Sequence, residues 1–183
     1  MNQHNIIEED VLIGENLTIG HFNKIENCVV IGENVTIENN VVIKKGAKIN
    51  DNSFIGNHSI IGKDAVINKN CRMTAYCEIR DNVVVGEGSS FGSRCTISAN
   101  AFIGENTIIK YGFVLTDVPD LTKGTEKNVK GVGNNTLIGA NVCLMPGFSI
   151  GDNCIIGANS QVRSNIPNNE IWYGIPAKFY KSK

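Results

Sequence analysis

Aliphatic side chains return at every sixth position over the first two thirds of the chain. The series runs from Ile7 to Leu115, beginning with eleven successive isoleucines and continuing with Met, Val, Phe, Ile and Leu. A helix repeats every 3.6 residues and a half-buried strand every two, so neither produces this pattern. A strict period of six over so long a run is typical of a hexapeptide β-helix, a solenoid of short strands.

The other positions of the repeat explain its length. Two residues before each aliphatic lies a second small or apolar position, such as Val29, Ala47, Ser53 or Cys71. Three residues after each aliphatic the chain favours Asn and Gly, which best tolerate a positive φ. We interpret this position as the corner between consecutive strands, so that three strands and three corners make a triangular coil of 18 residues. The predicted corners are Asp10, Asn16, Phe22, Cys28, Asn34, Asn40, Gly46, Asn52, His58, Asp64, Asn70, Tyr76, Asn82, Gly88, Arg94, Asn100, Asn106, Gly112, Asn135, Asn141, Gly147, Asn153, Asn159 and Asn165.

The repeat predicts one all-β domain, residues 1–183, folded as a left-handed parallel β-helix of about eight triangular coils. Residues 6–115 and 132–166 form coils, and residues 167–183 form a C-terminal tail that caps the open end. Leu115 and Val132 lie 17 positions apart, which is one repeat of six plus an insertion of 11. Residues 116–131 are therefore expected to leave the solenoid as a polar excursion loop at the corner above Asn82 and Asn100.

The composition limits which binding partners and which cellular compartment are expected. The 183 residues carry a formal net charge of -1, which argues against nucleic acid and against an anionic membrane. The sequence has no long apolar run and no signal-peptide pattern, so we expect a soluble, cytoplasmic protein. Four of the six cysteines occupy the small inward position, where they are expected to be buried reduced thiols. These four are Cys71, Cys77, Cys95 and Cys154.

One outward face of the predicted solenoid is almost wholly apolar. Sorting the outward positions by the 18-residue coil places six residues on it, five of them apolar. They are Leu12, Val30, Lys48, Val66, Val84 and Phe102. A continuous apolar face favours packing against neighbouring copies, and we expect a homotrimer about a threefold axis. The alternative is that these residues only reflect the β-branched preference of strands.

The closing run LIGANVCLMPGFSIGDNCIIGANSQVRSNIPNNEIWYGIPAKF resembles the C-terminal half of hexapeptide-repeat acyltransferases. The stretch Gly174 to Lys178 matches their G-x-P-A-[KR] ending. These left-handed β-helix trimers transfer acetyl from acetyl-CoA to a hydroxyl or an amine. The resemblance implies that acetyl-CoA is the co-substrate, lies between two subunits, and places its phosphates near Lys178. The positions expected to line it are Gly139, Ala140, Gly157 and Ala158.

Many members of this superfamily use a histidine near the loop as general base. The only histidines here, His4, His21 and His58, precede the loop by more than fifty residues, so none fits that position. The three-histidine spacing of a γ-class carbonic anhydrase is also missing, and no metal is expected. An acyltransferase without a histidine is chemically reasonable if the acceptor is an amine, which is partly neutral near pH 7.

Within the superfamily the chain looks most like acetyltransferases of amino-sugar nucleotides, especially of 3-amino sugars. The resemblance lies in the segment from Ser98 to Asp117. It implies that Asn100 contacts the acceptor and that Asp117 accepts a proton or orients the ammonium. Asn82 and Asp120 are further candidates for acceptor binding. Asn100 also has a purely structural interpretation, as one more corner asparagine.

Three predicted corners on a single edge depart from the Asn and Gly preference: Phe22, Tyr76 and Arg94. Tyr76 and Arg94 are one coil apart and therefore neighbours on that edge. A ring beside a guanidinium suits a nucleotide base or phosphate, which makes both residues candidates for substrate binding. The alternative is a stacked pair that stabilises the corner.

Three functions remain open from the sequence. The first is an acetyl-CoA-dependent N-acetyltransferase of a nucleotide-linked amino sugar. The second is a sugar or glycan O-acetyltransferase, for which Asp117 is the candidate base. The third is a noncatalytic β-helix scaffold.

Overall fold

Each six-residue repeat folds into a two-residue strand followed by a tight corner. The computed structural model of the protein describes residues 4–119, 122 and 127–183, which form a left-handed parallel β-helix. Within each strand the first side chain points outward and the second inward, as with half-buried Val66 and fully buried Ile67. The next coil adds a parallel strand in register, so that Val66 pairs with Val84 and Ile67 with Val85.

Three flat sheets form the faces of the prism, called here faces A, B and C. Among the described residues, face A has nine strands: β1 (Ile6–Ile7), β4 (Lys24–Ile25), β7 (Val42–Ile43), β10 (Ile60–Ile61), β13 (Glu78–Ile79), β16 (Thr96–Ile97), β19 (Val114–Leu115), β22 (Cys143–Leu144) and β24 (Gln161–Val162). Face B has seven: β2 (Leu12–Ile13), β5 (Val30–Ile31), β8 (Lys48–Ile49), β11 (Val66–Ile67), β14 (Val84–Val85), β17 (Phe102–Ile103) and β20 (Gly131–Val132). Face C has ten: β3 (Thr18–Ile19), β6 (Thr36–Ile37), β9 (Phe54–Ile55), β12 (Arg72–Met73), β15 (Ser90–Phe91), β18 (Ile108–Ile109), β21 (Leu137–Ile138), β23 (Ile155–Ile156), β25 (Glu170–Gly174) and β26 (Ala177–Ser182).

The corners form three columns, named by the faces they join. With one exception, every predicted corner residue has a positive φ, between 51° and 82°. Edge AB contains Asp10, Cys28, Gly46, Asp64, Asn82, Asn100 and Gly147. Edge BC contains Asn16, Asn34, Asn52, Asn70, Gly88, Asn106, Asn135, Asn153 and Asn169. Edge CA contains Phe22, Asn40, His58, Tyr76, Arg94, Gly112, Asn141 and Asn159.

The exception is Asn165, for which the corner prediction was wrong. The last turn is shorter, because Ile150 bridges Ile166, whereas an unbroken coil would bring position 168 beside it. Two residues are lost at edge AB, and the chain crosses it without a left-handed residue at position 165. Asn169, which follows Ile166, takes the left-handed conformation at the next edge.

The C-terminal segment both extends and closes the solenoid. Strand β25 adds parallel to β23 on face C, which completes a ninth turn beyond the coils that the six-residue period counts. Strand β26 then folds back antiparallel on β25, and Ala177 and Trp172 pack on the core. This hairpin covers the end of face C, the role expected of a capping tail.

The core is one continuous column of inward side chains. Isoleucines dominate it, and the inward Cys71, Cys77, Cys95 and Cys154 are buried in it as the repeat predicted. Burial raises the pKa of the Cys71 thiol to about 11, because a thiolate there would lose its hydration. In the described part of the chain, no helix is long and apolar enough to cross a membrane.

Candidate functional site

The excursion loop leaves the solenoid at edge AB, directly above Asn82 and Asn100. The strand register shows the insertion, because Phe102 of β17 pairs with Gly131 of β20, whereas an unbroken coil would pair it with position 120. Two backbone hydrogen bonds close the base of the loop. The amide of Asn128 donates to the carbonyl of Asp117 at 2.9 Å, and the amide of Gly147 donates to the carbonyl of Asn128 at 2.7 Å. These three residues, here called the loop neck, fix where the loop begins and ends.

Asp117 sits at the loop neck with two cations beside it. Its Oδ2 lies 3.2 Å from Nζ of Lys127 and 3.8 Å from Nη1 of Arg80, and its side chain is 19% exposed. Arg80 also lies 3.7 Å from the Glu78 carboxylate on face A. Asp117 is therefore a partly buried but accessible carboxylate whose neighbouring charged groups are both cations.

Asn82 and Asn100 stack on edge AB below the neck. Nδ2 of Asn82 donates to Oδ1 of Asn100 at 3.1 Å, and both backbones are left-handed. Similar asparagine ladders occur far from the loop, for example between Asn16 and Asn34 at 3.1 Å. The ladder itself is a structural feature of the corners, so an acceptor role for Asn100 rests on its position under the loop. The other acceptor candidate in the loop, Asp120, lies outside the described residues.

Tyr76 and Arg94 lie on a different edge, CA. The ring of Tyr76 stacks on His58 one coil below, with centroids 4.9 Å apart and planes 9° apart. Among the described residues, the guanidinium of Arg94 has no hydrogen-bond, ion-pair or ring partner. The ring of Tyr76 therefore stacks on His58 and not on Arg94, whose guanidinium is free to bind something else.

The predicted site residues thus divide between two edges of one chain. Asn82, Asn100 and Asp117 belong to edge AB, while Tyr76 and Arg94 belong to edge CA. The whole width of face A, about 20 Å of extended chain from Arg94 to Asn100, separates the two edges. A single chain therefore does not bring the two sets together, and they meet only if edge AB of one copy faces edge CA of another.

The four positions Gly139, Ala140, Gly157 and Ala158, called here the glycine-alanine column, also lie beside edge CA, near the C-terminal end of the solenoid. Gly139 lines a cavity of about 310 Å³ on face C, with Ile108 and Leu137 among its apolar walls. Close packing of the next coil requires glycine at positions 139 and 157, which the sequence did not reveal. A Cβ at Gly139 would collide with the backbone of Ala158, and one at Gly157 would lie 2.7 Å from Cβ of Tyr173.

The space above these glycines is thus occupied by the next coil, which explains why they are glycines without reference to a ligand. The neighbouring Ala140 is half-buried and Ala158 is exposed. Strand pairing places exposed Lys178 beside Tyr173, the residue directly above Gly157. The column and Lys178 therefore lie at the same end of face C.

A second cavity, of about 360 Å³, lies lower on face C and was not predicted from the sequence. Its wall includes Arg72, Lys110 and Tyr111. The sequence feature that could have indicated this cavity is the outward cation Arg72 on face C, together with Arg94 on the adjoining edge CA. No group of three or more His, Cys, Asp or Glu side chains comes together anywhere in residues 4–119, 122 and 127–183.

Comparison with known proteins agrees with this architecture. The family model for bacterial transferase hexapeptide repeats matches residues 10–45 and 131–164. The UDP-N-acetylglucosamine acyltransferase of Campylobacter jejuni superposes with a TM-score of 0.80 at 18% identity, covering 99% of this chain and 74% of that one. That likeness shows the fold. The chain is a left-handed β-helix, and its two matched stretches are similar to bacterial transferase hexapeptide repeats.

Two Escherichia coli (strain K12) proteins are similar over shorter stretches. Galactoside O-acetyltransferase is 47% identical over 47 residues, which is 26% of this chain and 23% of that protein. A protein named as a lipopolysaccharide biosynthesis O-acetyl transferase, WbbJ, is 37% identical over 65 residues, or 36% of this chain and 33% of that protein. The chain thus matches a third or less of the length of these relatives.

Proposed function

We propose that the protein is an acetyl-CoA-dependent N-acetyltransferase acting on the amine of a nucleotide-linked amino sugar. The observation that carries the proposal is the loop neck, which presents a carboxylate, Asp117, with no imidazole near it among the residues that the structure describes. The histidines lie at the lower part of edge CA, and the highest of them, His58, is three coils below Gly112. An amine nucleophile suits such a site because it needs less base assistance than a hydroxyl.

The reaction would be a direct acyl transfer. The amine nitrogen forms a bond to the thioester carbonyl carbon, the carbon–sulfur bond breaks, and CoA leaves as the thiol. The proton released by nitrogen passes to the departing sulfur or to water, and Asp117 holds the amine in position for attack. Positioning of the two reactants then supplies most of the acceleration.

The division of site residues between two edges supports a site shared by copies of the chain. We propose a homotrimer in which edge AB of one subunit, with Asn100 and Asp117, faces edge CA of the next. Acetyl-CoA would run along the upper part of edge CA, with its pantetheine against the apolar cavity beside Gly139 and its phosphates near Lys178. The exposed apolar residues of face B, such as Leu12 and Phe102, support burial at a subunit contact.

O-acetylation of a sugar or glycan is the second candidate, and the names of two relatives favour it. In that reaction a hydroxyl must lose its proton as it attacks, and Asp117 would be the base. Removing a general base costs about 10²–10⁴-fold in rate. Removing a residue that only orients an amine should instead raise KM for the acceptor more than it lowers kcat.

The test compares matched acceptors with the purified protein. Acetyl-CoA is supplied with amino-sugar nucleotides and with the same compounds bearing hydroxyl in place of amine, and release of the CoA thiol is measured. Turnover with the amine, and a kcat for Asp117→Asn within about tenfold of wild type, is expected. Turnover with the hydroxyl and a kcat loss of a hundredfold or more would establish the O-acetyltransferase instead.

Acetyl-CoA binding is tested separately by calorimetry. We expect Lys178→Ala to weaken CoA binding more than dephospho-CoA binding, while Lys181→Ala, a control on the same strand, leaves both unchanged. If wild-type protein binds no CoA and turns over no acceptor, the noncatalytic scaffold is the correct interpretation.

A further inference from the structure

The lower cavity on face C opens beside edge CA, next to Tyr76 and Arg94, two of the residues that break the corner preference. Thr74 and Ser93, two of its lining residues, come just before the corners at Tyr76 and Arg94. Their hydroxyl oxygens lie 3.0 Å apart. The cavity and this part of the edge therefore form one continuous surface, here called the CA cleft. Its volume of about 360 Å³ is within the range of pockets that hold small ligands.

The CA cleft gathers three cations. Arg72 and Lys110 line the cavity, Arg94 directly follows its lining residue Ser93, and none of the three has an ion-pair partner in the described part of the chain. Several cations elsewhere on the solenoid are paired, as Lys69 is with Asp51 at 2.7 Å. The residues described around the cavity include no acidic side chain. Three uncompensated positive charges around one cleft favour an anionic ligand, and the planar guanidinium fork suits phosphate in particular.

The same cleft presents flat aromatic surface. Tyr76 is 54% exposed and Tyr111 is 62% exposed. The ring of Tyr76 is backed by His58, which holds it in place, and Arg72 lies 4.1 Å above the ring of Phe54. An exposed ring that is held in one orientation, as Tyr76 is, is suited to stacking with a planar base at little entropic cost.

We propose that the CA cleft binds the nucleoside diphosphate portion of a nucleotide, with the phosphates among Arg72, Arg94 and Lys110 and the base against Tyr76 or Tyr111. The inference rests on the proposed function, because it assigns the nucleotide of the acceptor to these residues. CoA also carries a phosphorylated nucleoside, so the shared chemistry is a nucleotide with at least two phosphates. The position of Lys178 at the far end of face C assigns the acceptor, not CoA, to this cleft.

The test is calorimetric titration of the full-length protein with UDP, dTDP, inorganic pyrophosphate and CoA. Arg72→Gln and Arg94→Asn are each expected to weaken binding of UDP or dTDP at least tenfold while leaving CoA affinity unchanged. Arg163→Gln, an exposed arginine that follows β24 on face A, is the control and should bind all four as wild type does. Arg94→Asn introduces a residue that tolerates the left-handed backbone better than arginine does. Its melting temperature should therefore equal or exceed that of wild type, which excludes unfolding as the cause of lost binding.

Two results would overturn the assignment. The first is that the wild-type protein binds neither UDP nor dTDP. The second is that Arg72→Gln and Arg94→Asn weaken only CoA binding, which would show that the CA cleft binds CoA. Neither result bears on acetyl transfer to an amine, which the assay with matched acceptors decides. If the enzyme acetylates an amine but binds no nucleoside diphosphate, the proposed function stands and the assignment of a nucleotide to the CA cleft is wrong.

Discussion

Asn82 donates a side-chain hydrogen bond to Asn100 at 3.1 Å, one coil beneath the loop neck. The same bond joins Asn16 to Asn34 at 3.1 Å on edge BC, far from the loop. A corner asparagine therefore has a structural role wherever such a ladder forms. Any catalytic role of Asn100 has to appear as an effect beyond that shared contribution.

Asn100→Ala and Asn34→Ala separate the two contributions. Both residues have a left-handed backbone and both belong to an asparagine ladder. Each substitution should lower the free energy of unfolding by about 1 kcal/mol, because alanine is disfavoured at positive φ. Only Asn100→Ala should raise KM for the acceptor, with CoA affinity unchanged. Equal kinetics for the two variants would leave Asn100 as a corner residue and nothing more.

Gly147→Ala should loosen the loop neck. Gly147 has φ of 82°, and a Cβ there would lie 2.9 Å from Nδ2 of Asn128. We expect a loss of about 1–2 kcal/mol in unfolding free energy together with reduced acetyl transfer, since Asn128 must shift. Gly88→Ala, at φ of 71° on edge BC, is the control that should lose stability but keep its activity. Chemical denaturation and steady-state kinetics on both variants make the comparison.

Cys28→Asn should stabilise the protein. Cys28 is exposed at edge AB with φ of 59°, a conformation in which asparagine is tolerated better than cysteine. The expected gain is about 0.5–1 kcal/mol, measured by denaturant unfolding. Cys28→Ala removes the thiol without supplying the preferred side chain, so it should show no gain. Equal stability of the two variants would contradict the explanation from backbone conformation.

Phe102→Glu should disrupt the proposed trimer. Phe102 is 49% exposed on face B and Leu12, on the same face, is 65% exposed. A carboxylate placed in an apolar subunit contact is costly to bury, so sedimentation should show monomer in place of a species three times the chain mass. Ile60→Glu on face A is the control. Dissociation caused by the control but not by Phe102→Glu would move the contact to another face.

The corners show how much of the fold the sequence contains. The third residue after each inward aliphatic is predicted to be a left-handed corner, and the structure has a positive φ there. This holds even at Phe22, Cys28, Tyr76 and Arg94, whose residue types do not favour a positive φ. The rule works because each corner depends only on the local six-residue geometry. It fails at Asn165, where the shorter last turn is set by pairing with Ile150 and by the hairpin beyond it.

The candidate site was less accessible to sequence reasoning. The position of the loop above Asn100 follows from counting, and the structure agrees. The reason why position 139 must be glycine could not be predicted, because the sequence does not show that the backbone of Ala158 lies against it. The lower cavity on face C was missed, since Arg72, Lys110 and Tyr111 come from different coils and have no motif in common.

The sequence by itself determined the coil length, the inward and outward positions, the origin of the loop and every corner except the one at Asn165. All of these repeat locally, and one coil specifies the next through strand pairing. Only the tertiary structure decided that the guanidinium of Arg94 has no partner among the described residues and that cations of neighbouring coils surround one cavity. These are relations between side chains across the stack, and they depend on packing and pairing that no single repeat encodes.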